Sequence, residues 1–472
     1  MKTFVQVLVL IIVALGGGYL YADAYDIVPG ILTTRPADKQ AEKYPSVKTM
    51  PSLRADSQFS EYAPSPLDGK EVQKLLDAFV KNKSADMTGR FSAFIIDSES
   101  GAQLASYKGN DMLVPASNMK LATAIAALDV LGPQTTFSTT TALEGSTVYL
   151  VGGGDVLLGR GKSDESSIYG HAGLEDLAEK TAQELKNKSV SKVSLKVDSS
   201  LFSGELYHST ITGADRKFVA EVRPIGAKET YTTENFSGSP DIEAANIFAD
   251  HLKNKGIDIR EVSRSDTSVP DDALQLASVE SASVRGFVSY MLERSDNTTA
   301  ETLAHLIALK KGKEATFANA SQSVQESLQS LGIDVSGAVF ADGSGLSENN
   351  RLSAKMLADM VQCIYKNEKG VFAGAASGLP VGNVSGTLDK RFTDDDMGAR
   401  VHAKTGSLHQ VRSLAGFVQT GNGRILTFAL MNDATGSNKA KKDDKTQKFT
   451  DSRPLFDQFL TNLVELSTFS KD

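Results

Sequence analysis

Apolar residues along this chain change their spacing several times, and each change marks an element. Val72, Leu75, Leu76, Phe79 and Val80 recur at three and four residues, which predicts an amphipathic helix starting near Glu71. Alternation then predicts strands over 92–97 and 102–108 around a Ser-Glu-Ser-Gly turn. From 117 to 131, Met119, Leu121, Ala122, Ile125, Ala126, Leu128 and Val130 leave almost no polar face, and Gly132-Pro133 ends the run. A helix apolar on all sides belongs in the middle of a domain. Strand and helix patterns alternate through 148–152, 174–186, 193–197, 242–255 and 257–262. Two further helices follow, 298–311 with Leu303, Leu306, Ile307 and Leu309 inward, and 352–365 with Leu352, Met356, Leu357, Met360, Val361 and Ile364. The stretches 400–407, 411–420 and 424–432 read as an antiparallel meander turning the second time at Gly421-Asn422-Gly423.

The first residues are of a different kind. Lys2 precedes an apolar run over 4–20, broken only by Gln6 and Gly16, Gly17 and Gly18, and polar residues follow at 22–24. That is long for a signal core and short for a membrane span, so a cleaved signal peptide and a retained membrane anchor both stand for 1–24. Either places the remainder outside the cytoplasm, on the extracytoplasmic face of a membrane or in the wall. Residues 25–67, rich in Pro, Ser and charge with little periodicity, read as a linker.

With 472 residues, 40% hydrophobic and 23% charged, the chain can bury a large core in more than one domain. A net charge of −8 argues against a nucleic-acid partner, which needs a basic face. The single cysteine, Cys363, cannot form an internal disulfide and lies on a helical apolar face, where it reads as a small buried hydrophobe.

Three polar words punctuate this pattern in order: Ser117-Asn118-Met119-Lys120 at the start of the all-apolar helix, Ser295-Asp296-Asn297 at the start of another, and Lys404-Thr405-Gly406 on a meander strand. Ser117 and Lys120, three apart, share a helix face. At a helix start, free N–H groups and the dipole favour a developing oxyanion. A lysine buried there is driven toward its neutral form and can take a proton. Ser189-Val190-Ser191-Lys192 repeats the first word, but it joins a charged helix end to a strand and reads as a surface turn. Ser347-Glu348-Asn349 matches the second word within a loop. On the third, alternation puts Lys404 and Gly406 on one face and Thr405 on the other, and Gly406 is expected to let a substrate backbone come close.

The ordered set resembles that of serine β-lactamases and penicillin-binding proteins. Longer blocks narrow the likeness: Gly152-Gly153-Gly154-Asp155, Val197-Asp198-Ser199-Ser200-Leu201-Phe202-Ser203-Gly204, Asp342-Gly343-Ser344-Gly345-Leu346-Ser347, Leu379-Pro380-Val381-Gly382 with Gly386-Thr387-Leu388, and Leu414-Ala415-Gly416-Phe417 after the third motif. From about Asp68 to the end, the chain resembles the class C low-molecular-mass penicillin-binding proteins, the D-alanyl-D-alanine carboxypeptidase/endopeptidase type that includes penicillin-binding protein 4.

The resemblance implies an α/β (α+β) fold: a serine β-lactamase/transpeptidase-like domain, with an antiparallel sheet packed between helices, split by a smaller inserted domain. Residues 68–145 and 278–472 would form the catalytic domain and 146–277 the insertion, which is shorter than the family often carries. It implies acyl transfer with no cofactor and no metal, acting on peptidoglycan stem peptides and trapped by β-lactam antibiotics. Ser117 would be the nucleophile and Lys120 the base, Ser295 and Lys404 would relay a proton, and Asn297 would hold the acyl-side amide. Backbone N–H groups of Ser117 and Ser407 would form the oxyanion hole, and Lys404 and Thr405 would face the substrate carboxylate. After D-G-S-G-L-S the family commonly has an arginine that receives an anionic side chain of the stem peptide; here Glu348 stands there and Arg351 follows. The expectation is a preference for an amidated or otherwise non-anionic third residue, with Arg351 the alternative receptor.

Gly154–Ser163 comes near a phosphate loop, but valine occupies position 156, where the first glycine must stand. The six histidines include no H-E-x-x-H. His402 and His409 bracket the third motif and could line its rim, but read better as sheet-edge or surface histidines. A β-lactamase would need a deacylating base, and no E-x-x-L-N follows Ser295. A non-catalytic wall-binding scaffold would not need the full polar set.

Overall fold

A computed structural model describes residues 64–83, 88–227, 231–232, 235–236, 239–367, 370–394, 397–435 and 450–466. The expected export segment and most of the linker lie outside the described residues.

Period-two burial builds the main sheet. It is five-stranded and antiparallel, in the order Val401–Leu408, Val411–Gln419, Ile425–Asp433, Arg90–Asp97, Gln103–Tyr107. Arg90–Asp97 is buried at every position after the first, because both faces are covered. Its Phe91, Ala93 and Ile95 point to one layer, packing with Val72, Leu76 and Phe79 of the helix Gly69–Lys83 and with Phe456, Phe459 and Leu460 of the helix Arg453–Leu466. Phe94 and Ile96 point to the other, a larger core shared with the helices Met119–Val130, Val284–Arg294, Asn297–Lys310, Phe317–Ser330 and Ala354–Tyr365. The alternation of Cβ directions along a strand divides one sequence between two cores. The expected sheet packed between helices is the observed one.

The all-apolar helix is Met119–Val130, with every side chain from Met119 to Leu128 buried. It begins two residues later than the motif. A 3-10 turn, Ala116–Asn118, precedes it, so Ser117 sits in that turn, with Ala116 at φ 49°.

A second five-stranded sheet runs in the order Asp258–Arg264, Lys192–Asp198, Thr147–Val151, Ser138–Glu144, Leu274–Glu280. Its first three strands are parallel, connected through the helices Leu174–Asn187 and Pro240–Asn254, which cover the sheet in a third core. Parallel neighbours need such crossovers, which accounts for the strand–helix alternation in this stretch. The sheet extends beyond 146–277 at both ends, because Ser138–Glu144 and Leu274–Glu280 pair with each other. From it residues 199–224 run out as a strap whose Thr210 and Ala220 hydrogen-bond Ser347 and Thr298, and Ile225–Ala227 returns to pair with Asp155–Leu158. No helix among the described residues is long and apolar enough to cross a membrane.

Candidate active site

The Ala116–Asn118 turn is held against the main sheet by side chains of both, Asn118 from the turn and Ser413 from the strand Val411–Gln419. Ser413 Oγ donates to the Pro115 carbonyl (2.6 Å) and accepts from Asn118 Nδ2 (2.7 Å). Gly406 lies opposite this contact: a Cβ there would stand 2.1 Å from Ser413 Oγ and 2.7 Å from Pro115 O. The close approach that Gly406 permits is therefore by the chain's own nucleophile turn, not by a substrate as the sequence suggested. Gly345 plays the same part from the Asp342–Ser347 loop, where a Cβ would come within 1.9 Å of Ala116 O.

Ser117 is half-buried, and its Oγ accepts a hydrogen bond from Lys120 Nζ at 3.1 Å. Lys120 is fully buried, and its Nζ also donates to Asn297 Oδ1 (2.6 Å) and the Ser344 carbonyl (2.7 Å). Loss of hydration pushes its ammonium down to about 8, opposed by the carboxylates of Asp342, Asp296 and Glu301.

The Ser-Asp-Asn word is divided between scaffold and site. Asp296 is the N-cap of Asn297–Lys310, accepting from Thr299 N at 2.7 Å. Ser295 ends the preceding helix in the left-handed region at φ 57°, a conformation costing a non-glycine residue about 1–2 kcal/mol, and its hydroxyl thereby meets Lys404 Nζ at 2.9 Å. Asn297 is held from both sides: Oδ1 receives Lys120, and Nδ2 donates to the Phe218 carbonyl at 2.8 Å.

Lys404 is fully buried, bonded to Ser295 and to the Thr405 carbonyl (2.9 Å). Burial and then the charge of Lys120 hold its ammonium well below the usual lysine range. Its ammonium reaches Ser295, and Lys404 is not among the residues lining the cleft over Ser117. Thr405 Oγ1 shares a 2.7 Å hydrogen bond with Thr387 Oγ1. Val401–Leu408 is an edge strand. Ala403 N donates outward to Pro380 O, and Val401 O accepts from Gly382 N. By the two-residue repeat of an antiparallel ladder, Thr405 and Ser407 also present their N–H and C=O groups outward. That edge lies beside Ser117.

A cleft of about 860 Å³ opens over Ser117, and Asn297, Ser407, His409, Asp215 and Phe218 are among its lining residues. Glu348 is another of the residues lining the cleft. Arg351 is not among the cleft-lining residues: its Nη1 donates to the Asn350 carbonyl at 2.7 Å and to the Glu348 carbonyl. His409 is at the cleft rather than at an indifferent surface. Asp215 and Phe218 belong to the strap, anchored by Thr210 Oγ1 to Ser347 Oγ (2.9 Å) and Ala220 N to Thr298 Oγ1 (3.1 Å). Sequence reading missed the strap, since no local pattern ties it to residues a hundred positions away. Cys363 is half-buried, and burial pushes its thiol up to about 11, which leaves it inert. Among the described residues no group of His, Cys, Asp and Glu could hold a metal ion.

The D-Ala-D-Ala carboxypeptidase 3 (S13) family profile matches residues 72–233 and 226–452. A carboxypeptidase of Mycobacterium tuberculosis is 32% identical over 367 residues, covering 74% of this chain and 77% of that protein. The carboxypeptidase DacB of Mycolicibacterium smegmatis is 31% identical over 389 residues, covering 79% and 82%. The crystal structure of penicillin binding protein 4 from Haemophilus influenzae superposes with a TM-score of 0.64 at 21% identity, over 82% of this chain and 98% of the other.

Proposed function

Because the chain belongs to the D-Ala-D-Ala carboxypeptidase 3 (S13) family, we propose that it cleaves the terminal D-alanyl-D-alanine bond, or a D-configured cross-link, of peptidoglycan stem peptides through an acyl-enzyme on Ser117. The observation that carries this reading is the pairing of two buried lysines with two serines, Lys120 with Ser117 and Lys404 with Ser295, with Asn297 bonded to Lys120.

In its neutral form Lys120 takes the Ser117 proton as Oγ bonds to the scissile carbonyl carbon. The oxyanion so formed is received by the N–H groups of Ser117 and Ser407, the latter directed outward from the strand edge. An extended acyl chain lying along that edge adds as a strand, its main chain meeting the outward groups of Thr405 and Ser407 while Asn297 receives its amide. When the carbon–nitrogen bond breaks, Ser295 passes a proton to the leaving amine, replenished from Lys404 or Lys120. Water then cleaves the ester and restores Ser117. β-Lactams enter the same path, because their strained amide and carboxylate match the reacting end of the peptide.

Placement of Glu348 and Asp215 on the cleft wall, with Arg351 not among its residues, supports an acyl side chain without an exposed carboxylate. Labelling with a fluorescent penicillin tests the nucleophile: wild type takes a stable label, and Ser117→Ala takes none while unfolding at the same temperature. Undiminished labelling of the variant would remove Ser117 from the mechanism. Release of D-alanine or split cross-links from digested peptidoglycan then separates carboxypeptidase from endopeptidase action.

A further inference from the structure

The Gly343–Ser344 segment of the Asp342–Ser347 loop has all of its backbone polar groups taken by side chains of two helices. From the nucleophile helix, Thr123 Oγ1 donates to Gly343 O (2.6 Å) and Lys120 Nζ to Ser344 O (2.7 Å). From the other side a single carboxyl, Glu301, accepts from Gly343 N (3.0 Å, Oε2) and Ser344 N (2.8 Å, Oε1). Glu301 is one turn beyond Asn297 on the same helix and 3% exposed. Gly343 permits the approach: a Cβ there would stand 2.8 Å from Ala304 Cβ. Asp342 secures the rest of the loop through Gly345 N (2.7 Å), Ser347 N (2.6 Å) and Asn350 Nδ2 (2.8 Å). A buried carboxyl occupied by two backbone donors is costly to retain unless it organises something. What it organises here is a peptide carbonyl that receives the proposed base.

We propose that Glu301 is a positioning residue for acylation: by clamping both N–H groups of Gly343 and Ser344 it fixes the Ser344 carbonyl that aims Lys120 at Ser117. The inference rests on the acyl-enzyme reading above. It accounts for one feature of α-helical spacing, in which Asn297 and Glu301, four apart, reach Lys120 directly and through the loop. The titratable groups facing Lys120 are Asp342 from the loop, Asp296 and Glu301 from the Ser-Asp-Asn helix and Lys404 from the edge strand. Burial and the neighbouring Asp342 push the Glu301 carboxyl up to about 8, far above the usual carboxylate range.

The test is the second-order rate of labelling by a fluorescent penicillin as a function of pH, on the full chain. Glu301→Gln keeps the size but presents an NH2 to one backbone N–H in place of a carboxyl oxygen. Its plateau rate is expected to fall between about 10- and 100-fold through misplacement of Lys120. The acid limb is expected to stay in place, because a carboxyl pushed up to about 8 is already largely uncharged there. Glu301→Asp keeps the carboxyl but is too short to reach both N–H groups, so its plateau falls as well. A merely structural role would lower the amount of folded protein and leave the labelling rate of the folded fraction at the wild-type plateau. Superimposable profiles for wild type and Glu301→Gln would overturn the proposal. Should Glu301→Gln fail to fold, wild-type labelling by Glu301→Asp would overturn it alone. Absence of label on the wild type would instead refute the acyl-enzyme reading.

Discussion

Substitution of Gly345 by alanine measures how tightly the nucleophile turn is set. Gly345 has φ +82°, and an added Cβ would lie 1.9 Å from Ala116 O and 2.6 Å from Ala116 C, both backbone atoms with no rotamer to swing aside. Ordinary contact begins at 3.4 Å, so loop and turn must separate by about 1.5 Å. The turn carries Ser117, while the loop carries the Ser344 carbonyl that holds Lys120, so the separation moves nucleophile and base apart. Misplacement by about 1 Å costs roughly 100-fold in rate, or about 2.7 kcal/mol of activation free energy. The left-handed backbone adds about 1–2 kcal/mol of folding cost. Gly423→Ala separates the two effects: its φ is +89°, but nothing lies within 4 Å of the new atom. Thermal unfolding and the second-order rate of fluorescent-penicillin labelling are the assays. Both variants should melt below wild type, and only Gly345→Ala should lose about two orders of magnitude in labelling. Equal labelling rates for the two would show that the Gly345–Ala116 contact does not set the nucleophile.

Three further outcomes are expected. With Lys120 held near 8 by burial, labelling should rise about tenfold per pH unit below that value and level off above it, since only the neutral amine accepts the Ser117 proton; a flat profile through neutrality would remove Lys120 as base. Lys404→Ala should slow acylation of amidated and free-carboxylate substrates alike, because its ammonium reaches Ser295 rather than the open cleft; a loss confined to free carboxylates, measured as kcat/KM on paired peptides, would restore direct charge pairing. Stem peptides with an amidated third residue should be preferred over the free acid by on the order of fivefold, the effect of about 1 kcal/mol between partly solvated charges, and Glu348→Arg should reverse the order; preference of the wild type for the free acid would refute a repelling wall.

Local patterns in the chain were enough to show the main elements and the five polar residues at the centre of the site. Period-two runs marked the strands over 92–97 and the meander because each side chain meets a fixed face, and the unbroken apolar run after Ser117 could only be a buried helix. The motifs were legible because catalysis demands particular residue types next to helix ends and strand edges. The helix Arg453–Leu466 went unread, although Phe456, Phe459, Leu460 and Leu463 have its spacing. Tertiary structure alone decided the rest, since contacts between distant positions leave no local period. It tied Arg351 to backbone carbonyls, joined Lys404 to Ser295, filled the space above Gly406 with Ser413 and Pro115, and brought His409 to the cleft. It also drew Asp215 and Phe218 across from the second sheet and Glu301 under a loop forty residues later, where burial and backbone donors, not residue identity, give each group its part.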